Sequence, residues 1–275
     1  MLELRSPSKI NLFLRILRRR EDGYHELASL FQTINLCDQL QFSLTPHDHF
    51  TCTDQTLPTD QSNLVLKALA LFRRKTGIST PVTIHLDKQI PHQAGLGGGS
   101  GNAATTLWAM NQLCKSQISD QTLAEWAGEI GSDISLFLTN GTAYGTGRGE
   151  QLRSLPPLPP KKLTIVKPMI GLSTPQVFSK VDATKFLQRN PEQSLDQFLK
   201  GNPIYYNDLE EPAFLLLPEL EKLKEALIQS GFTTVLMSGS GTSFFCLGEG
   251  KIPQSDHISY YQAHFINRSP GCWYN

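Results

Sequence analysis

Five glycines fall within the seven residues Gly95-Leu-Gly-Gly-Gly-Ser-Gly101, at the centre of a stretch running from Pro91 to Ala104. Glycine opens positive φ to the backbone and lets a ligand reach the amides with no Cβ in the way. Upstream, Val82-Thr-Ile-His-Leu86 alternates apolar and polar residues, the period of a half-buried strand. Downstream, Ala103, Leu107, Met110 and Cys114 recur at helical spacing, with Ala104, Trp108 and Asn111 alongside. The order is strand, glycine loop, helix, with Ser100 or Asn102 placed to cap the helix. Free N–H groups and the positive end of the helix dipole make such a terminus an anion site, and a phosphate is its natural occupant.

Two better-known phosphate loops are excluded by spacing. A Walker loop carries Lys-Ser/Thr directly after its last glycine, and no lysine follows Gly101. Gly99-Ser-Gly-Asn-Ala-Ala104 fits a loose G-x-G-x-x-A, but a dinucleotide fold places a buried parallel strand before that loop, and Val82–Leu86 alternates. A run this dense leading into a helix favours phosphate binding over a flexible turn or tight helix–strand packing.

With 275 residues the chain can bury a sizeable core and is long enough for two domains. Its 25 basic and 25 acidic residues balance, so no nucleic-acid or membrane partner is expected and a phosphate must be held locally. No apolar run approaches a membrane span, and Met1-Leu-Glu-Leu-Arg lacks the apolar core of a signal peptide, which points to the cytoplasm. Five scattered cysteines without a C-x-x-C pair suit buried thiols in a reducing compartment and no zinc site. His47 and His49 form an H-x-H with no third ligand nearby, which reads as a solvated loop; no protein-held metal is expected.

Along the chain, Ser6-Pro-Ser predicts a turn entering a strand to Leu14, with Ile10, Leu12 and Leu14 on one face and Lys9 and Asn11 on the other. Arg18–Gly23 predicts a hairpin loop turned by Asp-Gly, followed by strands over 27–36 and 40–44. Helices are expected over 63–72 and from Leu123 to Ile130, the latter closed by Gly131. Asp133 then sits beside an apolar run, where a carboxylate needs a reason. Gly141–Gly149 reads as a second glycine-dense turn region, and the four prolines of Leu155–Pro160 as a domain boundary. Beyond it come a strand over 163–166, a loop entering a helix with Pro175 in its first turn, and a helix over 218–230. A strand over 233–237, the tight loop Ser238–Ser243 and a strand over 244–247 follow. The last 25 residues carry no pattern, and no repeat of fixed period is present.

Three stretches together resemble the GHMP kinase superfamily, which includes galactokinase, homoserine kinase and mevalonate kinase: Pro7-Ser-Lys-Ile-Asn-Leu12, the loop at Pro91–Ala104, and Ser238-Gly-Ser-Gly-Thr242. The resemblance spans almost the whole chain. It implies an α+β, two-domain fold, with a ribosomal-protein-S5-domain-2-like domain over 1–154 and a ferredoxin-like domain over 161–275. Within the superfamily, Lys9-Ile-Asn-Leu-Phe-Leu14, Asp22-Gly-Tyr-His25, Leu30-Phe-Gln32, Gly95–Ser100 and Gly131-Ser-Asp-Ile134 are similar to one branch. Its members use ATP and a divalent metal, Mg2+, to phosphorylate the 2-hydroxyl of 4-diphosphocytidyl-2-C-methyl-D-erythritol in the non-mevalonate isoprenoid pathway. Asp-Gly-Tyr-His is the tetrapeptide that separates this branch from its relatives.

That resemblance implies a catalytic pair, with Asp133 accepting the hydroxyl proton while Lys9 steadies it and places the hydroxyl. Gly95, Leu96, Gly97, Gly98, Gly99, Ser100, Gly101 and Asn102 would cradle the ATP phosphates, with Asn63 and Lys88 near the adenosine. Tyr24, His25 and Phe31 would hold the cytidine, Asn11 and Thr174 would touch the erythritol end, and Phe178 would pack beside the nucleotide portion. The sequence departs from the family pattern at Pro91-His-Gln-Ala, at Gly101 in place of a usual serine, at Ser135 in place of a common proline, and at the C-terminus. Another small-molecule kinase of the superfamily, of homoserine or mevalonate type, would not need Tyr24-His25. A non-catalytic nucleotide sensor would not need Asp133.

Overall fold

The computed structural model describes residues 1–182, 186, 188–253 and 255–274. Strand β1 (Leu2–Arg19) turns at Gly23, whose φ of 83° only glycine adopts readily, and returns as β2 (His25–Leu44) in an antiparallel pair. The turn closes with Arg20 N–H donating to Tyr24 O at 2.7 Å.

Both strands are longer than the sequence predicts. The expected turn at Ser6-Pro7 lies inside β1, because the ladder shifts register between Pro7 and Ser8 and so accommodates a residue without an N–H. The expected break between 36 and 40 is absent because Cys37 and Asp38 are buried and continue β2. A second irregularity between Asn11 and Phe13 inserts one residue into β1 and breaks the alternation. Leu14 is therefore not on the face of Ile10 and Leu12; it lines the same cleft as Lys9 and Asn11.

After β3 (His49–Cys52), helix α1 (Leu64–Thr76) is capped by Asn63, which accepts from Val65 N–H, and is ended by left-handed Gly77. Strand β4 (Val82–Asp87) leads through the glycine loop to α2 (Gly98–Leu113). Helix α2 starts before either expected cap: left-handed Gly97 holds the N-cap position, with no side-chain cap. Its residues from Gly101 to Asn111 are all buried, so it runs through the core rather than along one side of it. Helix α3 (Asp120–Ala127) stops at Gly128, three residues before the expected end, leaving Ile130 outside it. A short 3₁₀ turn (Ser135–Leu138) precedes β5 (Thr142–Thr146) and β6 (Gln151–Ser154), so Gly145 lies in a strand rather than in a turn region.

Past the proline run come β7 (Lys162–Pro168), α4 (Thr174–Phe178), α5 (Pro191–Leu199), β8 (Tyr206–Asn207), α6 (Glu210–Leu216), α7 (Pro218–Gln229), β9 (Thr234–Met237), β10 (Phe244–Leu247) and β11 (Ile258–His264). One sheet has the order β3-β4-β2-β1-β8, with β5 joining β2 to β6, and the other has the order β11-β7-β10-β9. A core of Ile10, Phe13 and Leu30 against Leu163, Ile165 and Phe245 lies between them. The tail returns to the first sheet, where Trp273 and Tyr274 are buried and Trp273 Nε1 donates to Arg5 O at 2.8 Å.

Gly101 of α2 lies against β1, and a Cβ placed there would stand 2.5 Å from the Pro7 carbonyl oxygen. That close approach explains glycine at a position where serine is usual. Gly101→Ser is expected to destabilise the protein by about 1–3 kcal/mol, read as a lower midpoint in urea; an unchanged midpoint would show that the strand yields freely.

Candidate active site

A cleft of about 760 Å³ runs along the start of α2 between β1, the 57–64 segment, the 172–175 segment and the Gly239–Gly241 loop. On its floor the Lys9 ammonium donates to Asn11 Oδ1 at 2.7 Å and stands 3.5 Å from Asp133 Oδ2. The two differ in exposure: the lysine side chain is 5% exposed and the aspartate 37%. Asn11 is held in turn by Ser29, through Nδ2 to Oγ at 2.8 Å, and Ser29 donates to Phe13 O. This chain fixes the lysine head, while its stem passes close to Gly97, where a Cβ would meet Lys9 Cγ at 3.0 Å. Among the described residues that line the cleft, Asp133 is the one carboxylate.

The glycine loop owes its path to two close approaches. Lys9 N–H donates to Leu96 O at 2.8 Å, tying the loop to β1. A Cβ on Gly95 would collide with Ser238 O, so the Ser238–Ser243 turn rests directly on the loop. Ser238 Oγ donates to Gly95 O, and Ser243 N–H to Ala94 O, which completes the seam. The N-terminus of α2 carries no acidic residue in its first turn and no side-chain cap, so Gly98, Gly99 and Ser100 present an open helix end to the cleft.

The predicted residues divide by location. Asn11, Phe31, Asn63, Lys88, Gly95–Ser100, Asn102, Asp133, Thr174 and Phe178 all line the cleft. Gly101 does not; its open side faces β1. Tyr24 and His25 adjoin the cleft through its lining residues: the Arg148 guanidinium lies 4.9 Å from the Tyr24 ring centre, and His25 sits 5.4 Å from Phe178. Burial, with a smaller effect of Arg19, lowers the His25 imidazole below its usual value, which leaves a neutral ring at pH 7 with one donor and one acceptor. Phe31 is buried beneath the Lys9 ammonium, 5.6 Å from ring centre to Nζ.

Several polar heads serve the wall itself. Asn63 is engaged with Val65 N–H and Pro58 O. Lys88 and Asn102 donate to Asp38, a fully buried carboxylate that also accepts from Gln89 and Ile90 N–H groups; Lys88 donates further to Ile90 O. Sequence reasoning passed over Asp38, although a carboxylate within an apolar strand is itself the signal that donors converge there.

The chain matches the family description "GHMP kinases N terminal domain" over residues 63–141 and "GHMP kinases C terminal" over residues 185–267. A curated relative from Protochlamydia amoebophila (strain UWE25), 4-diphosphocytidyl-2-C-methyl-D-erythritol kinase, is 54% identical over 274 residues, covering 100% of this chain and 93% of the relative. The chain belongs to the 4-diphosphocytidyl-2-C-methyl-D-erythritol kinase family. The chloroplastic 4-diphosphocytidyl-2-C-methyl-D-erythritol kinase of Mentha piperita is 43% identical, with 100% of this chain and 72% of that one covered. A crystal structure of 4-(cytidine 5'-diphospho)-2C-methyl-D-erythritol kinase superposes with a TM-score of 0.82 at 34% identity, covering 96% of this chain and 99% of the other. The two-domain GHMP kinase architecture is thus established.

In this kinase fold a second buried charge, also missed from the sequence, supports the Gly239–Gly241 wall. Lys167 Nζ donates to Pro168 O, Ile170 O and Thr242 Oγ1 at 2.7–2.9 Å, and Thr242 Oγ1 donates to Ile170 O. Burial lowers its pKa from the ordinary 10.5 to about 8. Because the folded value is the lower one, between these limits the unfolded chain binds the proton more tightly, and stability contributed here rises with pH. The stability of wild type relative to Lys167→Met is therefore expected to grow from pH 7.5 to about pH 10, as measured by paired denaturant melts. A shrinking difference would show that the three hydrogen bonds outweigh burial.

Proposed function

We propose that the protein transfers the γ-phosphoryl group of ATP to the 2-hydroxyl of 4-diphosphocytidyl-2-C-methyl-D-erythritol, yielding the 2-phosphate and ADP in the non-mevalonate isoprenoid pathway. The observation that carries this reading is the Lys9–Asp133 pair, 3.5 Å apart on the floor of a cleft with an open helix N-terminus at one side and Tyr24, His25 and Phe178 at the other. Nucleotide phosphates belong at the helix end, where N–H groups and the dipole receive negative charge. The acceptor hydroxyl belongs at Asp133, which takes its proton as the oxygen attacks, while Lys9 orients that oxygen and balances charge building on the phosphoryl group. Gly95–Asn102, with Asn63 and Lys88, shape the ATP side; Tyr24, His25, Phe31 and Phe178 shape the cytidine side, and Asn11 and Thr174 the erythritol end.

A magnesium ion fits this site as an ion carried by the nucleotide. Mg2+ keeps several waters and binds largely through substrate phosphates, and the hydroxyl of Ser100 at the helix start lies in the cleft lining beside them. Bound there it would neutralise phosphate charge. The Leu155–Pro160 run is taken as the boundary between units 1–154 and 161–275, and the cytoplasm as the working compartment. Among the described residues no helix is long and apolar enough to cross a membrane.

Incubation with ATP, Mg2+ and this acceptor should release ADP and add one phosphate to the acceptor mass, whereas homoserine, mevalonate and galactose should give neither. Turnover with one of those instead would reject the acceptor assignment. Asp133→Asn is expected to keep ATP binding and lose about a hundredfold or more in turnover; near-normal turnover would remove Asp133 as the base. Tyr24→Ala should raise the acceptor KM roughly tenfold and leave the KM for ATP alone, and an unchanged acceptor KM would take Tyr24 out of the cytidine site.

A further inference from the structure

The turn after β5 places one arginine between the two ends of the acceptor side. Gly147 and Gly149, both at positive φ, flank Arg148, and Leu27 N–H donates to Gly147 O at 2.7 Å, which pins the turn next to Tyr24 and His25. On its far flank the turn meets the catalytic carboxylate: a Cβ on Gly149 would lie 3.8 Å from Asp133 Oδ1. Arg148 itself lines the cleft. Its guanidinium lies 4.9 Å from the Tyr24 ring centre, its ion-pair contact with Glu150 is 3.8 Å long, beyond hydrogen-bond reach, and its charge also acts on the Asp22 carboxylate.

The other cations of the cleft are engaged. Lys9 is held by Asn11 and Asp133, and Lys88 by Asp38 and Ile90 O. Among the described residues, Arg148 makes no side-chain hydrogen bond, so five N–H donors in a planar fork are available at the cleft wall. In the acceptor a diphosphate joins the cytidine to the erythritol, and it must cross from the Tyr24–His25 end to the Asp133 end. Arg148 stands on that crossing.

We infer that Arg148 is a specificity-determining residue that binds the diphosphate of the acceptor, an inference that rests on the acceptor assignment above. The guanidinium exchanges its loose contact with Glu150 for a bidentate hold on phosphate oxygens, a geometry that a lysine ammonium does not reproduce. Its seat over Tyr24 lets one residue couple base stacking to recognition of the diphosphate. Nucleosides lacking the phosphates would then lose this contact alone.

The test uses the full chain, with cytidine and CDP as competitive inhibitors against the acceptor. For Arg148→Gln the acceptor KM and the CDP inhibition constant are expected to rise about tenfold to a hundredfold, with cytidine inhibition and the KM for ATP unchanged. Arg148→Lys, which keeps the stem and the charge, should fall between. Equal weakening of cytidine and CDP would overturn the inference and make Arg148 a support for Tyr24; no change in either would place the diphosphate elsewhere. Failure of the wild-type protein to phosphorylate the acceptor or to respond to CDP would instead reject the acceptor assignment, and the inference with it.

Discussion

Asp38 is the interaction on which the rest of the site depends. Its carboxylate is fully buried and receives donors from Lys88, Gln89, Ile90 and Asn102. These residues lie at both ends of the glycine loop, so one side chain from the middle of β2 sets where the loop leaves the sheet and where it enters α2. A buried carboxylate without partners is strongly unfavourable, and removing one member of such a set destabilises by about 3–5 kcal/mol. The two ends of the loop are therefore fixed by electrostatics within the core rather than by the glycines, which only permit its path. Permission and specification come from different residues.

The same division holds across the cleft. Glycine at 95 and 101 allows backbone to approach backbone, and the hydrogen bonds of Ser238, Ser243 and Lys9 determine how closely. Lys167 performs for the Gly239–Gly241 wall what Asp38 performs for the glycine loop, a buried charge whose hydrogen bonds tie the 167–170 stretch to Thr242. The Lys9 head, placed on such a frame and held by Asn11 beside Asp133, is oriented before any ligand arrives. That pre-orientation is the main contribution a protein makes to phosphoryl transfer, where little covalent chemistry is asked of it.

Much of this was readable in the chain, and what was not has physical causes. The strand–glycine–helix order, a helix ending before Gly77 and the α7 pattern follow from local chemistry, whereas Asn63, read as the first helical residue, is the cap of α1. Lys9 and Asp133, more than 100 positions apart, lie side by side in the fold, and only the family resemblance, not local pattern, implied that pairing. The failures share a cause in tertiary structure. Leu14 changed face because one extra residue at the Asn11–Phe13 irregularity alters the alternation, and no composition marks it. The polar residues near Cys37 and Asp38 read as a break, although distant donors make burial favourable. Strand β11 is largely exposed and gives no alternating pattern, and β8 has only two residues, so both exist by pairing with strands remote in sequence.

The return of residues 268–274 to the first sheet has a consequence for the way the molecule is made. Trp273 and Tyr274 belong to the apolar cluster beneath α1 and α2, Trp273 packs 5.4 Å from Trp108, and Arg268 donates to Thr139 O and pairs with Asp120. During synthesis, the first half of the chain leaves the ribosome with that place in its core open to water. A nascent chain therefore waits through the whole second half for the aromatic pair that closes the first, exposing apolar surface of the kind chaperones bind. Seating of the two rings reports, in packing, that the second half has been made.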